Sequence, residues 1–175
     1  MKQFILLISA TLLTIFCGAQ GMAADSSRIT IEPITAARLL DMQKQSNNCM
    51  LIAIWVPNCK TADEQFKEFA AFQKSVDYPV LFIGITNKPE LIETIARNNN
   101  YSGTLYMIDT AVCADIYKRF DVFCDQLSKQ LKTKTGKTFN TLFLDKKGHA
   151  VLKKDLMRFP DWLKALCKSQ SKISD

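Results

Sequence analysis

The chain has 175 residues, 47% of them hydrophobic, which suffices for one domain with a buried core and leaves no need for a second domain. Lys and Arg outnumber Asp and Glu by 23 to 17, and no internal repeat or low-complexity tract is present. The single histidine and the wide spacing of the six cysteines argue against a metal site, and nothing in the sequence indicates a cofactor.

Residues 1–24 have the layout of a secretory signal peptide. Lys2 precedes an apolar stretch over residues 4–16, and small residues follow before the first polar segment of the domain. The sequence therefore predicts cleavage after Ala23 or Ala24 and a periplasmic or otherwise exported protein.

Two other interpretations of this segment are disfavoured. The apolar stretch is short for a retained membrane anchor, so no stable membrane span is expected after cleavage. Cys17 would suit lipoprotein processing, but Phe16 stands where that processing needs a small residue. We expect residues 25–175 to form a single domain.

The first half of the domain alternates between strand and helix patterns. Continuous apolar runs predict strands that are buried on both faces, and apolar residues at helical spacing predict amphipathic helices. The expected elements are a strand at 29–32, a helix at 35–44, a buried strand at 50–55, a helix after Cys59, a buried strand at 80–85, a helix opened by Pro89 and a strand at 104–108.

The second half ends in a hairpin and a helix. Two helical pieces are expected at 111–120 and 123–131 with a bend at Asp121, then strands at 138–144 and 149–153, then a helix from Pro160 through Cys167. This order predicts an α/β protein with a mixed central sheet, helices on both faces, and a C-terminal β-hairpin plus helix.

A thiol stands between the buried strand at 50–55 and the following helix. The segment reads Trp55-Val56-Pro57-Asn58-Cys59-Lys60-Thr61-Ala62. A thiol at a helix N-terminus is exposed to the positive end of the backbone dipole and to unpaired amides, which lower its pKa, and Lys60 adds a positive charge. Cys59 is thus the candidate nucleophile, and the competing interpretation is an inert thiol.

Trp-x-x-x-Cys at the end of a buried strand, followed by Phe139-Asn140-Thr141-Leu142-Phe143-Leu144-Asp145-Lys146-Lys147-Gly148, resembles thioredoxin-fold proteins, closest to the exported TlpA and ResA type. The helix and strand over residues 89–109 and the segment 115–122 also match that group. The resemblance covers most of residues 29–168, and it implies thiol–disulfide exchange on protein clients.

The resemblance is broken at three positions that carry the chemistry of that family. Ala62 replaces the resolving cysteine, Asn140 replaces the cis proline beside the active thiol, and Ala53 stands where many thioredoxins bury an acid. A cis bond before a non-proline residue costs about 3 kcal/mol, so a trans bond before Asn140 is expected. Residues 123–137 form an insertion relative to the family pattern. This insertion is either a surface for a partner or a helical extension that packs on the core.

The resemblance also bears on the five cysteines that follow the signal segment. In the implied fold, the strand at 50–55 separates Cys49 from Cys59 by roughly 20 Å, too far for a disulfide. The fold would bring Cys167 near Cys49, and a bend could join Cys113 to Cys124. In the competing arrangement, Cys113 or Cys124 approaches Cys59 and acts as a distant resolving thiol.

Other residues suggest weaker roles. His149 lies far from Cys59 in the implied fold, and Trp55 and Trp162 are expected to be packing residues. Basic residues cluster late in the chain, where they would suit an acidic partner or a phospholipid surface, although a solvated hairpin and loop explains them better, and an exported protein rarely meets nucleic acid. The basic residues are Lys129, Lys132, Lys134, Lys137, Lys146, Lys147, Lys153, Lys154 and Arg158.

Two functions follow from these observations. The first is monothiol disulfide exchange, or an isomerase-like activity, through Cys59 of an exported thioredoxin-like protein. The second is a redox-inactive thioredoxin fold that serves as a binding or assembly module of an envelope or secretion complex.

Overall fold

The computed structural model describes residues 28–132, 139–154, 156 and 158–170. The signal segment and the basic residues Lys134 and Lys137 lie outside the described residues. The described elements are β1 (Ile29–Ile34), α1 (Ala36–Ser46), β2 (Met50–Trp55), α2 (Ala62–Gln73), β3 (Val80–Gly84), α3 (Pro89–Asn98), β4 (Gly103–Ile108), α4 (Ile116–Gln130), β5 (Thr141–Leu144), β6 (Ala150–Lys154) and α5 (Trp162–Gln170).

The strands form one sheet in the order β1-β4-β3-β2-β5-β6. β1 to β4 are mutually parallel, whereas β5 is antiparallel to both β2 and β6. All residues of β2 and β3 are buried, as their continuous apolar runs predict for central strands. The predicted α/β class, mixed sheet and C-terminal hairpin are confirmed.

Helices cover both faces of the sheet, and β2 supplies a core to each face. Leu51 and Trp55 pack with residues of α2, α3 and α5, whereas Ile52 and Ile54 pack with residues of α1 and α4. The two sets alternate along β2 because successive side chains of a strand point to opposite faces.

α4 differs from its prediction, because one continuous helix replaces the two pieces with a bend at Asp121. It begins after Asp115, whose carboxylate accepts a 2.9 Å hydrogen bond from the amide of Tyr117. Residues 123–130, the first part of the segment that exceeds the family pattern, are the second half of this helix. They pack on the core through Phe123, Cys124 and Leu127.

The loops that follow β2, β3 and β4 lie at the same edge of the sheet. Because β2, β3 and β4 are parallel, the loops that leave their C-terminal ends begin at the same edge. β5 starts at this edge too, since Thr141 pairs with Ala53 near the end of β2. In the described part of the chain, no helix has the length and apolar character that crossing a membrane requires.

Candidate functional site

Cys59 lies in the loop that joins β2 to α2. Its amide donates a 3.0 Å hydrogen bond to the carbonyl of Val56, and its own carbonyl accepts one of 3.0 Å from the amide of Ala62. α2 begins at Ala62 with Thr61 as its N-cap. Cys59 therefore lies three residues before the first helical residue, in successive tight turns, rather than at the opening of the helix.

The Cys59 thiol is exposed, and its sulfur lies 3.5 Å from the hydroxyl oxygen of Thr61. This hydroxyl lowers the pKa of Cys59, and the backbone amide of Thr61 lowers it further. Slight desolvation opposes the shift, and the amide of Lys60 adds a small lowering effect. The thiolate, which is the nucleophilic form, is thus more populated near neutral pH than in an ordinary cysteine.

The loop is supported from below by the buried Pro57, while Asn58 and Lys60 are exposed. Gly84, at the end of β3, makes room for this support. A Cβ atom at Gly84 would lie 3.2 Å from Cγ of Pro57 and 2.7 Å from Cδ1 of Ile92. The missing side chain lets the Cys59 loop lie close to the sheet.

Trp55 is a core residue, as expected. Its ring stacks on Phe82 with centroids 4.7 Å apart, and it contacts Phe66 at 5.7 Å. Its Nε1 is buried and, in the described part of the chain, has no hydrogen-bond partner. Trp162 is not a packing residue, since it is 46% exposed with Nζ of Lys154 5.9 Å from its ring centroid.

Ala62 and Ala53, two of the three departures from the family pattern, are both buried in the core beneath α2. Ala62 occupies the inner face of the first turn of α2, so no thiol follows Cys59 at the usual distance along the chain. Ala53 belongs to β2 and places no carboxylate beneath the site.

Asn140, the third departure, lies beside the end of β2. Among the described residues there is no cis peptide bond, so the expected trans bond before Asn140 is confirmed. Its neighbour Phe139 is buried, with Nζ of Lys153 5.1 Å from the ring centroid. Phe139 also directs its amide toward the buried thiol of Cys124.

Cys59 and Asn140 line the same groove, which has a volume of about 160 Å³. Most of its wall is apolar, and among the described residues no Asp, Glu, Lys, Arg or His contributes to it. The lining residues are Ala53, Ile54, Trp55, Val56, Cys59, Gln65, Phe82, Ile85, Asn140, Leu156 and Phe159.

A disulfide joins Cys49 to Cys167, with alpha carbons 5.7 Å apart and a sequence separation of 118. This is the pair that the resemblance implied. It fastens α5 to the start of β2, where Tyr78 adds a 2.9 Å hydrogen bond from its hydroxyl to the carbonyl of Leu163. Burial raises the pKa of Tyr78 to about 12.

The second expected pair, Cys113 with Cys124, is wrong because both residues are free thiols. Cys113 precedes α4 and its carbonyl accepts a hydrogen bond from Arg119 of the first turn, whereas Cys124 is the ninth residue of α4, roughly 12 Å along the helix axis from Ile116 at 1.5 Å per residue. A disulfide needs alpha carbons within about 7 Å. Burial raises the pKa of Cys124 to about 12, so this thiol is inert in the folded protein.

Cys113 is half-buried at the same edge of the sheet as Cys59, in the loop after β4. Its carbonyl accepts a 2.6 Å hydrogen bond from Nε of Arg119, a buried guanidinium that also donates to the carbonyls of Ala114 and Thr86. Neither Cys113 nor Cys124 lines the groove.

His149 lies in the turn between β5 and β6, where its Nδ1 is 3.2 Å from Oδ2 of Asp145. That turn follows the end of β5 that pairs with Met50, whereas Cys59 follows the opposite end of β2. His149 therefore does not contribute to the groove. In the ranges that the structure describes, no group of three or more His, Cys, Asp or Glu side chains has the arrangement of a metal site.

Several contributors to the site were missed from the sequence, among them Thr61, Gln65, Ile85, Leu156 and Phe159. Thr61 had a local signal, because a hydroxyl two residues after a cysteine is within reach of its sulfur. Leu156 and Phe159 had none, since they lie in the connector between β6 and α5 and only the tertiary fold brings that connector to the groove.

The architecture combines four mutually parallel strands, β1 to β4, with an antiparallel β5–β6 hairpin and a final helix. The Cys59 thiol follows the central strand β2. The chain has a thioredoxin-like fold. No protein-family model matches this thioredoxin-like chain, and no curated protein sequence matches it.

Solved structures similar to this thioredoxin-like chain share little sequence with it. A thioredoxin-like protein from Parabacteroides distasonis is 12% identical with a TM-score of 0.48, covering 71% of this chain and 82% of its own. A putative protein disulfide isomerase from Bacteroides thetaiotaomicron is 12% identical with a TM-score of 0.44, covering 75% and 76%. A secreted disulfide oxidoreductase from Mycobacterium tuberculosis is 14% identical with a TM-score of 0.42, covering 71% and 83%.

Proposed function

We propose that this chain is an exported thiol–disulfide exchange protein that acts on protein clients through the single thiol of Cys59. The observation that carries the proposal is an exposed cysteine with a lowered pKa at the mouth of an apolar groove, on a fold that supports disulfide exchange. Cys113 and Cys124 do not line the groove, and Ala62 provides no resolving thiol.

Cys59 takes part in two exchanges. In the first, the Cys59 thiolate attacks one sulfur of a client disulfide; a bond forms between Cys59 and the client, the client S–S bond breaks, and the second client sulfur leaves as a thiolate that takes up a proton. In the second, another thiolate attacks the mixed disulfide and releases Cys59 as a thiolate.

The source of the second thiolate determines the outcome for the client. A different thiol of the same client leaves the number of disulfides unchanged and only rearranges them, which is isomerisation. If glutathione attacks instead, it releases Cys59 and remains bound to the client sulfur as a mixed disulfide. A second glutathione thiolate then attacks that disulfide at the glutathione sulfur, so the client leaves as a thiol and oxidised glutathione forms. Both routes use one protein sulfur, so neither requires the cysteine that Ala62 replaces.

Export is supported by the signal-like layout of residues 1–24 and by the Cys49–Cys167 disulfide. Disulfides persist in secreted and periplasmic proteins and are rare in the cytosol, where thiols are kept reduced. We therefore place the exchange reaction in an oxidising compartment such as the periplasm.

The test uses residues 25–175 as the purified mature protein, with a scrambled disulfide-containing client and a glutathione buffer. The wild type and Cys113→Ser should both form a mixed disulfide with the client, visible by mass spectrometry under non-reducing conditions, and should speed the recovery of native client. Cys59→Ser should do neither. Equal recovery with Cys59→Ser and wild type would refute the proposal.

A second candidate function is a redox-inactive binding or assembly module of an envelope complex. It is favoured by the joint change at Ala53, Ala62 and Asn140, all positions at which the resembled family carries out its chemistry. A host that keeps full function with Cys59→Ser and loses it only when the whole protein is deleted would support this module and not the enzyme.

A further inference from the structure

We propose that the groove beside Cys59 selects disulfides whose cysteine is flanked by one apolar side chain of leucine, methionine or phenylalanine size, and that Phe159 sets this preference. The inference rests on the proposed disulfide exchange by Cys59 and names its substrate class.

The groove is built from three separate segments. Ile54 and Val56 come from the end of β2, Ile85 follows β3, and Leu156 and Phe159 come from the connector between β6 and α5. Among the residues that the structure describes, no ionisable side chain other than the Cys59 thiol lines the groove, so an acidic or basic client residue would lose its hydration there without gaining a charged partner from this wall. The groove therefore disfavours client disulfides whose neighbouring residue is charged.

The volume of the groove limits the occupant to one side chain. Cavities on the order of 150 Å³ lined by Leu, Ile and Phe bind a benzene molecule. The groove measures about 160 Å³, so a single aromatic or branched aliphatic side chain fills it. Because Cys59 lies at its mouth, the residue that enters must be next to the disulfide under attack.

Phe159 is held in place before any client arrives. Its ring stacks on Phe72 with centroids 5.2 Å apart, and it contacts Phe82 at 6.2 Å and Phe69 at 6.3 Å. A wall that is already ordered costs less conformational entropy on binding than one that orders around the ligand.

Trp55 is a further ordered part of the wall. Its ring stacks on Phe82 with centroids 4.7 Å apart and contacts Phe66 at 5.7 Å. Its indole nitrogen is buried, so Trp55 presents apolar ring atoms to the groove and adds no accessible polar group.

The experiment uses five short peptides that differ only in the residue next to a single cysteine, which is Phe, Leu, Ala, Asp or Lys. Each cysteine carries the same thionitrobenzoate group in a mixed disulfide, so attack by Cys59 on the peptide sulfur releases a coloured thiolate. Rates are divided by those of free glutathione with the same peptide, which removes intrinsic differences in reactivity, and are measured in 0.5 M salt to screen long-range charge.

We expect the Phe and Leu peptides to react about 10-fold to 100-fold faster than the Asp and Lys peptides, with Ala between them. A spread below about fivefold, or a different order, overturns the inference. If no peptide releases the dye faster from the wild type than from Cys59→Ser, the exchange function itself fails. Equal release from all five peptides refutes only the selectivity.

Phe159→Ala should reduce the ratio of the Leu rate to the Asp rate by about 10-fold, and Phe159→Leu should reduce it less. The ratio is measured within each variant, so a general loss of activity does not affect it. Trp162→Ala is the matched control, because Trp162 is an exposed aromatic residue near Phe159 that does not line the groove. An unchanged ratio in folded Phe159→Ala would remove Phe159 from the proposal.

Discussion

The carbonyl oxygen of Asn140 accepts a 2.8 Å hydrogen bond from the backbone N–H of Ile54. This contact extends the β5–β2 ladder one step beyond the Ala53–Thr141 pair, toward the sheet edge where Cys59 lies. The peptide bond before Asn140 is trans in this arrangement, and the Asn140 side chain, which lines the same groove as Cys59, is a neutral amide. The backbone of Asn140 therefore continues the pairing of β5 with β2, while its side chain adds a polar but uncharged group to the groove.

Replacing Asn140 with Asp should raise the pKa of Cys59. A carboxylate in the groove would be near the thiolate, and like charges disfavour the ionised form. The pH profile of Cys59 alkylation by iodoacetamide measures this change, and the profile should move to higher pH. Asn140→Ser, which adds no charge, is the control, and a shift of equal size in both variants would exclude an effect of charge.

Removing the hydroxyl of Thr61 should also raise the pKa of Cys59, because that hydroxyl is the largest cause of its lowering. With a lowered pKa, the thiolate forms at lower pH than in an ordinary cysteine, so the loss of its hydrogen bond moves the alkylation profile toward alkaline pH. Thr61→Val tests this while keeping the shape of the side chain. Thr61→Ser retains a hydroxyl and should stay near the wild type; identical profiles for both variants would show that the hydroxyl is irrelevant.

The three free thiols of the described residues should differ in reactivity in the order of their exposure. Cys59 should be alkylated first, the half-buried Cys113 later, and Cys124 only after unfolding, because Cys124 is buried and its pKa is raised to about 12. Timed alkylation followed by peptide mass spectrometry gives the order. Labelling of Cys124 in the native protein at the rate of Cys113 would contradict the packing of α4.

Breaking the Cys49–Cys167 disulfide should lower the free energy of unfolding by about 2–5 kcal/mol, since the crosslink closes most of the described chain into a loop. The double variant Cys49→Ala/Cys167→Ala is compared with the wild type by urea denaturation. Cys113→Ala serves as a control for the removal of a cysteine that forms no disulfide. A midpoint that is the same for the wild type and the double variant would show that the crosslink does not stabilise the fold.

Gly84→Ala should cost about 1–3 kcal/mol of stability, because the added Cβ would overlap Ile92 and press against Pro57. It should also change the alkylation rate of Cys59, since Pro57 supports the loop that carries the thiol. Chemical denaturation and alkylation are measured on the same sample. Ala70→Gly, in the second half of α2, gives a comparison variant that perturbs stability away from the loop. An equal change in alkylation there would mean that the effect is not local.

The sequence by itself determined the order and type of the elements. Continuous apolar runs at Met50–Trp55 and Val80–Gly84 predict central strands, because only strands covered on both faces need apolar residues at every position. The position of Cys59 between β2 and α2 follows from the same local patterns. These signals are local because hydrophobic periodicity and turn chemistry act over a few neighbouring residues.

Only the tertiary structure decided which cysteines pair and what surrounds Cys59. The wrong Cys113–Cys124 pair depended on a bend at Asp121, whereas α4 is one continuous helix whose Phe123 and Leu127 pack in the core. Phe159 lines the same groove as Cys59 although it lies 100 positions later in the sequence. Local composition does not encode such contacts, because they depend on where the folded chain returns to the sheet edge.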